Sequence, residues 1–331
     1  MIDRFAALLG AATLGLSVFA TAPGALADTT LRITLQLPLK SHLGQNLVMF
    51  KEEVEAKSDI TVEIYDSAQL FKDKDVPEAV GSGQIEMGVA SLTRFVGDVP
   101  AVDVFYQPFV LNTEDKVRKA VAPDSPVRAP LDEAILETGN RVLWWQAYGG
   151  VVLLSNGEPM KMPDEMEGKK ARVFGKTLGT WVDVLGGAPT LISGSEQFLA
   201  YQRGTVDVGM TGVSGVKSRS LWDVMDTITV TNHADIEFIV VVNDAFWQGL
   251  TDEERGVIEA AARNAEIDVR DRMATIEAEA YAEAEANGMT VYRPSAAELE
   301  AWRAASAPVI EKWLESAGPL GAEVLDAANG L

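Results

Sequence analysis

The sequence predicts a two-lobed α/β protein with a ligand cleft between its lobes. Three observations lead there. Strand-like and helix-like periods alternate from Leu31 to Ala90, and a second alternation of the same kind runs from Gly168 to Met210. The third is a nearly unbroken helical stretch from Thr251 to Asn287. At about 1.5 Å per residue it reaches roughly 50 Å, which is longer than one small lobe.

The chain opens with a leader-like segment. Phe5 to Ala20 is apolar and rich in small residues after Arg4, and Ala25-Leu26-Ala27 has the small-x-small form of a cleavage site. Residues 1–27 therefore read as a signal peptide removed before Asp28. Gly10, Thr13, Gly15 and Ser17 interrupt the stretch and no stop-transfer flank follows, so a membrane anchor is disfavoured. The expectation is an exported protein that does not itself insert into a membrane after cleavage.

Leu31 to Leu37 alternates as a strand, and Leu43, Leu47, Phe50 and Val54 give Leu43 to Ala56 one apolar helical face. Ile60 to Tyr65 is a second strand, Asp75 to Ser82 a helix closed by Gly83, and Met87 to Ala90 a third strand. Two βαβ units in tandem argue a parallel sheet with right-handed crossovers. Arg141 to Trp145 and Val151 to Ser155 read as strands where the chain leaves this lobe.

The second lobe opens with a strand over Ala171 to Phe174. Helices follow at about Thr177 to Leu185 and Ser195 to Arg203, and Gly204-Thr205 turns into the apolar strand Val206 to Met210. Phe238 to Val242, β-branched and aromatic, returns to the first sheet. Thr251-Asp-Glu-Glu is a capping box for the long helix, Asn287-Gly288 its stop, and its apolar positions keep no heptad, so it spans the lobes rather than forming a coiled coil. Lobe I is expected to comprise 28–148 plus about 237–276, and lobe II 149–236 plus about 277–331.

Composition narrows the function. With no cysteine there is no disulfide, thiolate or zinc-thiolate site. A formal charge of −21 disfavours nucleic acid and anionic membranes. There are two histidines, His42 and His233, and no nucleophile elbow, zinc-protease, Walker or dinucleotide motif. Asp73-Lys-Asp75 lacks the glycine and glutamate of a calcium loop and reads as a solvated turn. No cofactor is expected.

In such an acidic chain, a cation in an apolar context stands out. Arg172, between Ala171 and Val173 near the C-terminal end of its strand, points where open α/β sheets bind ligands, and its planar fork suits a carboxylate. Other candidates sit in loops at strand ends: Gln36, Lys40 and His42 after the first strand, Asp73 after the second, Ser91 and Arg94 after the third. Lys176 lies four residues past Arg172, with Phe174 between them to pack an apolar ligand stem. Trp144, Trp145 and Tyr148 occupy the first lobe crossing, where core packing suits one Trp and cleft lining suits the other or Tyr148.

Several stretches also resemble the solute-binding proteins of tripartite ATP-independent periplasmic (TRAP) transporters, related to the C4-dicarboxylate-binding type. They are Val62 to Leu70, Gly83 to Val89, Asp103 to Phe109, Asn156 to Arg172, Gly204 to Asp207 and Val240 to Trp247, in this order and spacing across nearly the whole mature chain. The resemblance implies a two-lobed periplasmic binding protein, type II-like, with a long helix crossing both lobes and a sodium-driven TRAP membrane permease as partner. It implies that Arg172 grips the ligand carboxylate and that His233 lies beside the site. Thr211 stands where the family often has a clamping Asn, Val151 where many relatives have a further Arg, and Gly194 where a Phe is usual. These departures imply a pocket shaped differently from those for sialic-type sugar acids.

The expected function is that of a periplasmic receptor for a small organic acid anion. A doubly anionic solute, organophosphate or dicarboxylate, is the alternative that Lys40, Arg94 and Lys176 suggest. A hydrolase or isomerase using His42 or His233 is the alternative from another class.

Overall fold

In the first sheet, β1 (Thr30–Thr34) lies between β2 (Thr61–Tyr65) and β3 (Met87–Ser91) and runs parallel to both, with α1 (His42–Lys57) and α2 (Val76–Gly81) as crossovers. The computed structural model describes residues 29–331, so the leader read over 1–27 falls outside the described residues. Ser41 Oγ accepts from Gly44 N at 3.1 Å and starts α1, whose Leu43, Leu47, Phe50 and Val54 are fully buried. The strand expected over Leu31 to Leu37 stops at Thr34, because Leu35, Gln36 and Leu37 are all buried and the alternation that defines a half-exposed strand ends. α2 is shorter than expected, since Asp73–Asp75 forms a separate 3₁₀ turn ahead of it. The turn is solvated only in part: Lys74 and Asp75 are exposed, but Asp73 is 1 % exposed and points inward.

Two short helices, α3 (Glu114–Ala120) and α4 (Arg128–Leu136), lead into β4 (Asn140–Ser155). The two strands expected over Arg141 to Trp145 and Val151 to Ser155 are this one continuous strand of 16 residues. Gly149-Gly150 does not break it. Gly149, at φ +95°, sits in a register shift, and the place a Cβ would take is filled by Glu277 Oε1 at 2.3 Å. The half before this point pairs with the first sheet and the half after it with the second, so β4 physically joins the lobes.

The second lobe continues through β5 (Lys170–Val173), α5 (Lys176–Val184), β6 (Ala188–Leu191), α6 (Gln197–Gln202), β7 (Val208–Gly212), α7 (Val213–Ser218) and β8 (Thr227–Thr229). β5 lies parallel to β6 and β7, as the alternating pattern requires. β9 (Asp235–Asn243) then returns to the first sheet, antiparallel to β3 and to β4. The strand order is β2-β1-β3-β9-β4-β7-β5-β6, with β8 paired to β4. After α8 (Asp244–Gly249) come α9 (Asp252–Ala286), β10 (Thr290–Tyr292), which pairs with β8, and α10 (Ala296–Asn329).

α9 is the long helix expected from sequence, opened by the capping box of Thr251 and Glu254. It crosses both lobes. Asn46 of α1 donates to Ala265 O at 2.7 Å, and Lys217 of α7 pairs with Glu283 at 2.9 Å. None of the described helices is long and apolar enough to cross a membrane. α10 was not read from the sequence, because Pro308 and the Gly318-Pro319 break disguise it. Its Trp302 and Trp313 donate to Lys161 O and Pro100 O, each at 3.0 Å, and tie it to both lobes.

One hydrophobic cluster fills the first lobe and runs into the second, and a smaller one gathers around Val152, Leu154, Ile228 and Met289. Both Trp144 and Trp145 are fully buried in the larger cluster, so neither lines the cleft. Their indole nitrogens are satisfied there, by Asn46 Oδ1 at 3.0 Å and Asp132 Oδ1 at 2.9 Å.

Candidate functional site

The C-terminal ends of β1, β3, β5 and β7 converge on one narrow cavity between the lobes. Lobe I contributes Gln36, Asp73, Ser91 and Arg94, and lobe II contributes Arg172, Phe174, Gly194, Gln197, Thr211 and Arg219. Tyr148 of β4 and Ile236 and Phe238 of β9 line it from the two crossing strands. A larger groove lies between α9 and the α3–α4 turn, but no residue of the second sheet lines it. Three of its guanidiniums are already paired, Arg128 with Glu266, Arg118 with Asp271 and Arg270 with Glu237. The interlobe cavity is therefore the candidate site.

Arg172 is 3 % exposed, and its guanidinium is held by the backbone rather than by a carboxylate. Nε donates to Ile192 O at 3.0 Å and Nη1 to Met210 O, while the Phe174 ring centroid lies 5.2 Å from the guanidinium carbon. Among the described residues no acidic side chain lies within ion-pair distance of it. Burial, together with the nearby charges of Arg219 and Arg94, lowers its pKa to about 10, so it stays cationic at neutral pH. A fixed, desolvated and unpaired guanidinium is arranged to meet an anion.

Around it the charges differ in kind. Arg94 pairs with Asp73, whose other oxygen accepts from Ser91 N at 2.9 Å, so Asp73 anchors the loop after β3 and neutralises Arg94. Arg219 has no carboxylate partner among the described residues, and its Nη1 donates to Tyr148 Oη at 2.9 Å. Two buried amides also wait on this cavity: Gln36 Oε1 and Gln197 Nε2 have no partner. A donor and an acceptor from a ligand would satisfy them.

Eight of the twelve residues singled out from sequence meet in this cavity: Gln36, Asp73, Ser91, Arg94, Tyr148, Arg172, Phe174 and Thr211. Four do not. Lys40 and Lys176 are exposed and do not line the cavity. His42 lies behind the wall. Its Nε2 donates to Ala147 O at 3.0 Å and its ring supports Tyr148 at 5.3 Å, and burial lowers its pKa to about 4.

His233 is fully buried beneath the site, 4.2 Å from the Trp181 ring in a near-parallel stack, with Nδ1 2.8 Å from Thr231 Oγ1. Burial lowers its pKa to about 3. An unfolded chain protonates its histidines near 6.5. The unfolded state therefore binds more protons between pH 6.5 and about 3, and stability falls as pH drops through that window. Thermal melts between pH 7 and 4.5 should show this decline, and His233→Asn should flatten part of it. An unchanged slope in the variant would assign the acid limb to carboxylates instead.

Sequence reasoning missed Gln197, Arg219, Ile236 and Phe238, and named Gly194 only as a departure that reshapes the pocket. Ile236 and Phe238 alternate on one face of β9, a period-2 signal, but a continuous apolar run gives no sign that one face meets a cavity. Arg219 lies just past the C-terminal end of α7, a whole helix beyond the end of β7, so the strand-end rule that points to Arg172 does not reach it.

Comparison with known proteins agrees with this architecture. Residues 35–316 match the model of the DctP family, bacterial extracellular solute-binding protein family 7. The chain is similar to the C4-dicarboxylate-binding periplasmic protein DctP of Rhodobacter capsulatus, with 27 % identity over 98 % of this chain and 96 % of the relative. It is similar to the ectoine-binding periplasmic protein TeaA of Halomonas elongata, with 25 % identity over 84 % of this chain and 82 % of the relative. Among solved structures, a TRAP periplasmic solute-binding protein from Shewanella oneidensis with bound succinate superposes with a TM-score of 0.86. It is 25 % identical and covers 92 % of this chain and 99 % of its own.

Proposed function

The chain belongs to bacterial extracellular solute-binding protein family 7, and from that premise we propose a periplasmic receptor that binds a small organic acid through Arg172 and delivers it to a sodium-driven TRAP membrane permease. The family is one of solute receptors, not of enzymes. The observation that carries the ligand class is the buried Arg172 guanidinium, which faces the cavity without an acidic partner among the described residues. A carboxylate there gains charge-assisted hydrogen bonds in a site with little competing water.

The hydrolase or isomerase alternative loses its acid-base residues. His42 and His233 are both engaged away from the cavity, and burial keeps both neutral at physiological pH. The relatives support the receptor reading by what they bind: C4-dicarboxylates, ectoine and, in the Shewanella oneidensis structure, succinate. Export through the leader read over residues 1–27 would supply the compartment, and a receptor none of whose described helices is long and apolar enough to cross a membrane would move solute by docking onto a permease.

Capture should involve closure. Lys72 of lobe I and Glu196 of lobe II pair at 2.8 Å beside the cavity, an exposed contact that opening would break. Titration with a panel of small carboxylates, read by calorimetry, should find a ligand, and small-angle scattering should show a smaller radius of gyration when it is bound. A panel without binding would remove the organic-acid reading; binding with an unchanged scattering profile would remove closure alone. Uptake reconstituted with the cognate permease should require receptor, ligand and a sodium gradient together.

A further inference from the structure

Helix α5 starts without a cap of its own. Its N-cap position is Gly175, which has no side chain to accept from the first N–H groups of the helix. A side chain there would crowd the opposite lobe, since an added Cβ at 175 would lie 2.6 Å from Thr93 Oγ1. The cap comes from that lobe instead. Asp103, in the 3₁₀ segment Pro100–Tyr106, accepts on Oδ2 from Thr177 N at 3.2 Å and from Thr177 Oγ1 at 2.8 Å. Its Oδ1 accepts from Thr93 Oγ1 at 2.8 Å. Asp103 is fully buried, and the groups that donate to it are all uncharged.

Both anchors lead to the ligand cavity. Thr93 stands between Ser91 and Arg94, and Thr177 follows Arg172 and Phe174; those four residues line the cavity, while Asp103 does not. Tyr106, one 3₁₀ turn past Asp103, repeats the bracket. Its ring meets Phe174 edge-on with centroids 5.9 Å apart, and its Oη lies 3.4 Å from Ser91 Oγ. One turn of chain therefore holds the loop that carries Arg94 in register with the strand end that carries Arg172.

The seam is polar, which suits a contact that has to part. Opening it hydrates a carboxylate and an amide, and this offsets much of what the broken hydrogen bonds contributed. Lys72 and Glu196 also bridge the lobes, but both are exposed and such a pair contributes little. We propose that Asp103 is a positioning residue for ligand capture: it caps α5 from the opposite lobe only when the lobes are closed, and so latches the Arg94 loop and the Arg172 strand around the bound solute. This rests on the receptor reading and the closure given above.

A latch made only in the closed state acts on release and leaves encounter alone. The Thr177 N–H reports it directly, because a first-turn amide has no acceptor within its own helix. Residue-resolved hydrogen exchange on the full mature protein should show this amide slowed at least about tenfold by saturating succinate. Asp103→Ala should abolish that protection and raise the succinate dissociation rate at least about tenfold, with the association rate within about twofold of wild type. Asp103→Asn keeps one acceptor oxygen and should recover part of the slow release. Equal protection of Thr177 with and without succinate would make the cap a fixed support of the hinge and overturn the proposal. A dissociation rate unchanged in Asp103→Ala would overturn it as well. Exchange in the wild type needs no variant, so a poorly folding mutant does not spoil the test. Failure of succinate to bind would count against the organic-acid reading and not against the latch, which a second measurement then decides. The chain has no cysteine, so Lys72→Cys with Glu196→Cys can be joined by a short bis-maleimide that holds the lobes closed without ligand. Joining should slow exchange at Thr177, and joining without effect there would overturn the latch.

Discussion

Arg172→Lys is expected to weaken ligand binding by on the order of 2 kcal/mol or more, roughly thirtyfold in Kd, in a variant that still folds. The native guanidinium uses Nε and Nη1 on Ile192 O and Met210 O, and this fixes the plane in which its remaining donors face the cavity. A lysine ammonium carries the charge but cannot hold two backbone carbonyls and also present a fork. It would reach either the carbonyls or the ligand. Calorimetric titration of wild type and variant with the same acid measures the difference, and a melting curve checks the fold. An unchanged Kd would show that the carboxylate is held elsewhere, with Arg219 the next place to look.

Why Arg172 was legible and Arg219 was not is a matter of what periodicity encodes. A strand of four residues with an Arg between two apolar neighbours places that Arg at a strand end, and strand ends in parallel sheets meet ligands. Gln36, Asp73, Ser91 and Arg94 follow from the same rule, at the end of a strand of the first sheet or in the loop after it. Lys40 and Lys176 satisfied the rule as well and are exposed, because the rule gives the end of the strand but not the direction of a side chain one or two turns further on. His42 and His233 look chemical by type, yet each is engaged outside the cavity: His42 by the Ala147 carbonyl, and His233 at Nδ1 by the Thr231 hydroxyl and through its ring by Trp181, with its buried Nε2 left without a partner. At the level of fold, the long α9 was plain from its caps and length. β4 was read as two strands because Gly-Gly ordinarily ends a strand, and only the tertiary partner Glu277 explains why this one continues.

Arg270→Met should be the most destabilising single change at the lobe crossing, by about 3–5 kcal/mol, because it strips a buried carboxylate of its counter-ion. Glu237 lies on β9 and is fully buried, with Oε1 2.6 Å from Arg270 Nη1 and Oε2 2.8 Å from Nη2. Burial raises the Glu237 pKa, and the charge and hydrogen bonds of Arg270 oppose that rise. The same helix reaches the other crossing strand about two turns further on, where Glu277 Oε1 accepts from Gly150 N at 3.0 Å. α9 therefore fastens to both strands that connect the lobes, and the Arg270 pair is the stronger of the two fastenings. Removing both ends together, as Arg270→Met with Glu237→Leu, should recover most of the loss, since neither charge is then left buried alone. Urea unfolding of the wild type, the single variant and the double variant measures this. A single-variant loss below about 1 kcal/mol would mean that Glu237 simply takes up a proton when its partner leaves. The pair would then hold the geometry of the crossing strands without contributing much to their stability.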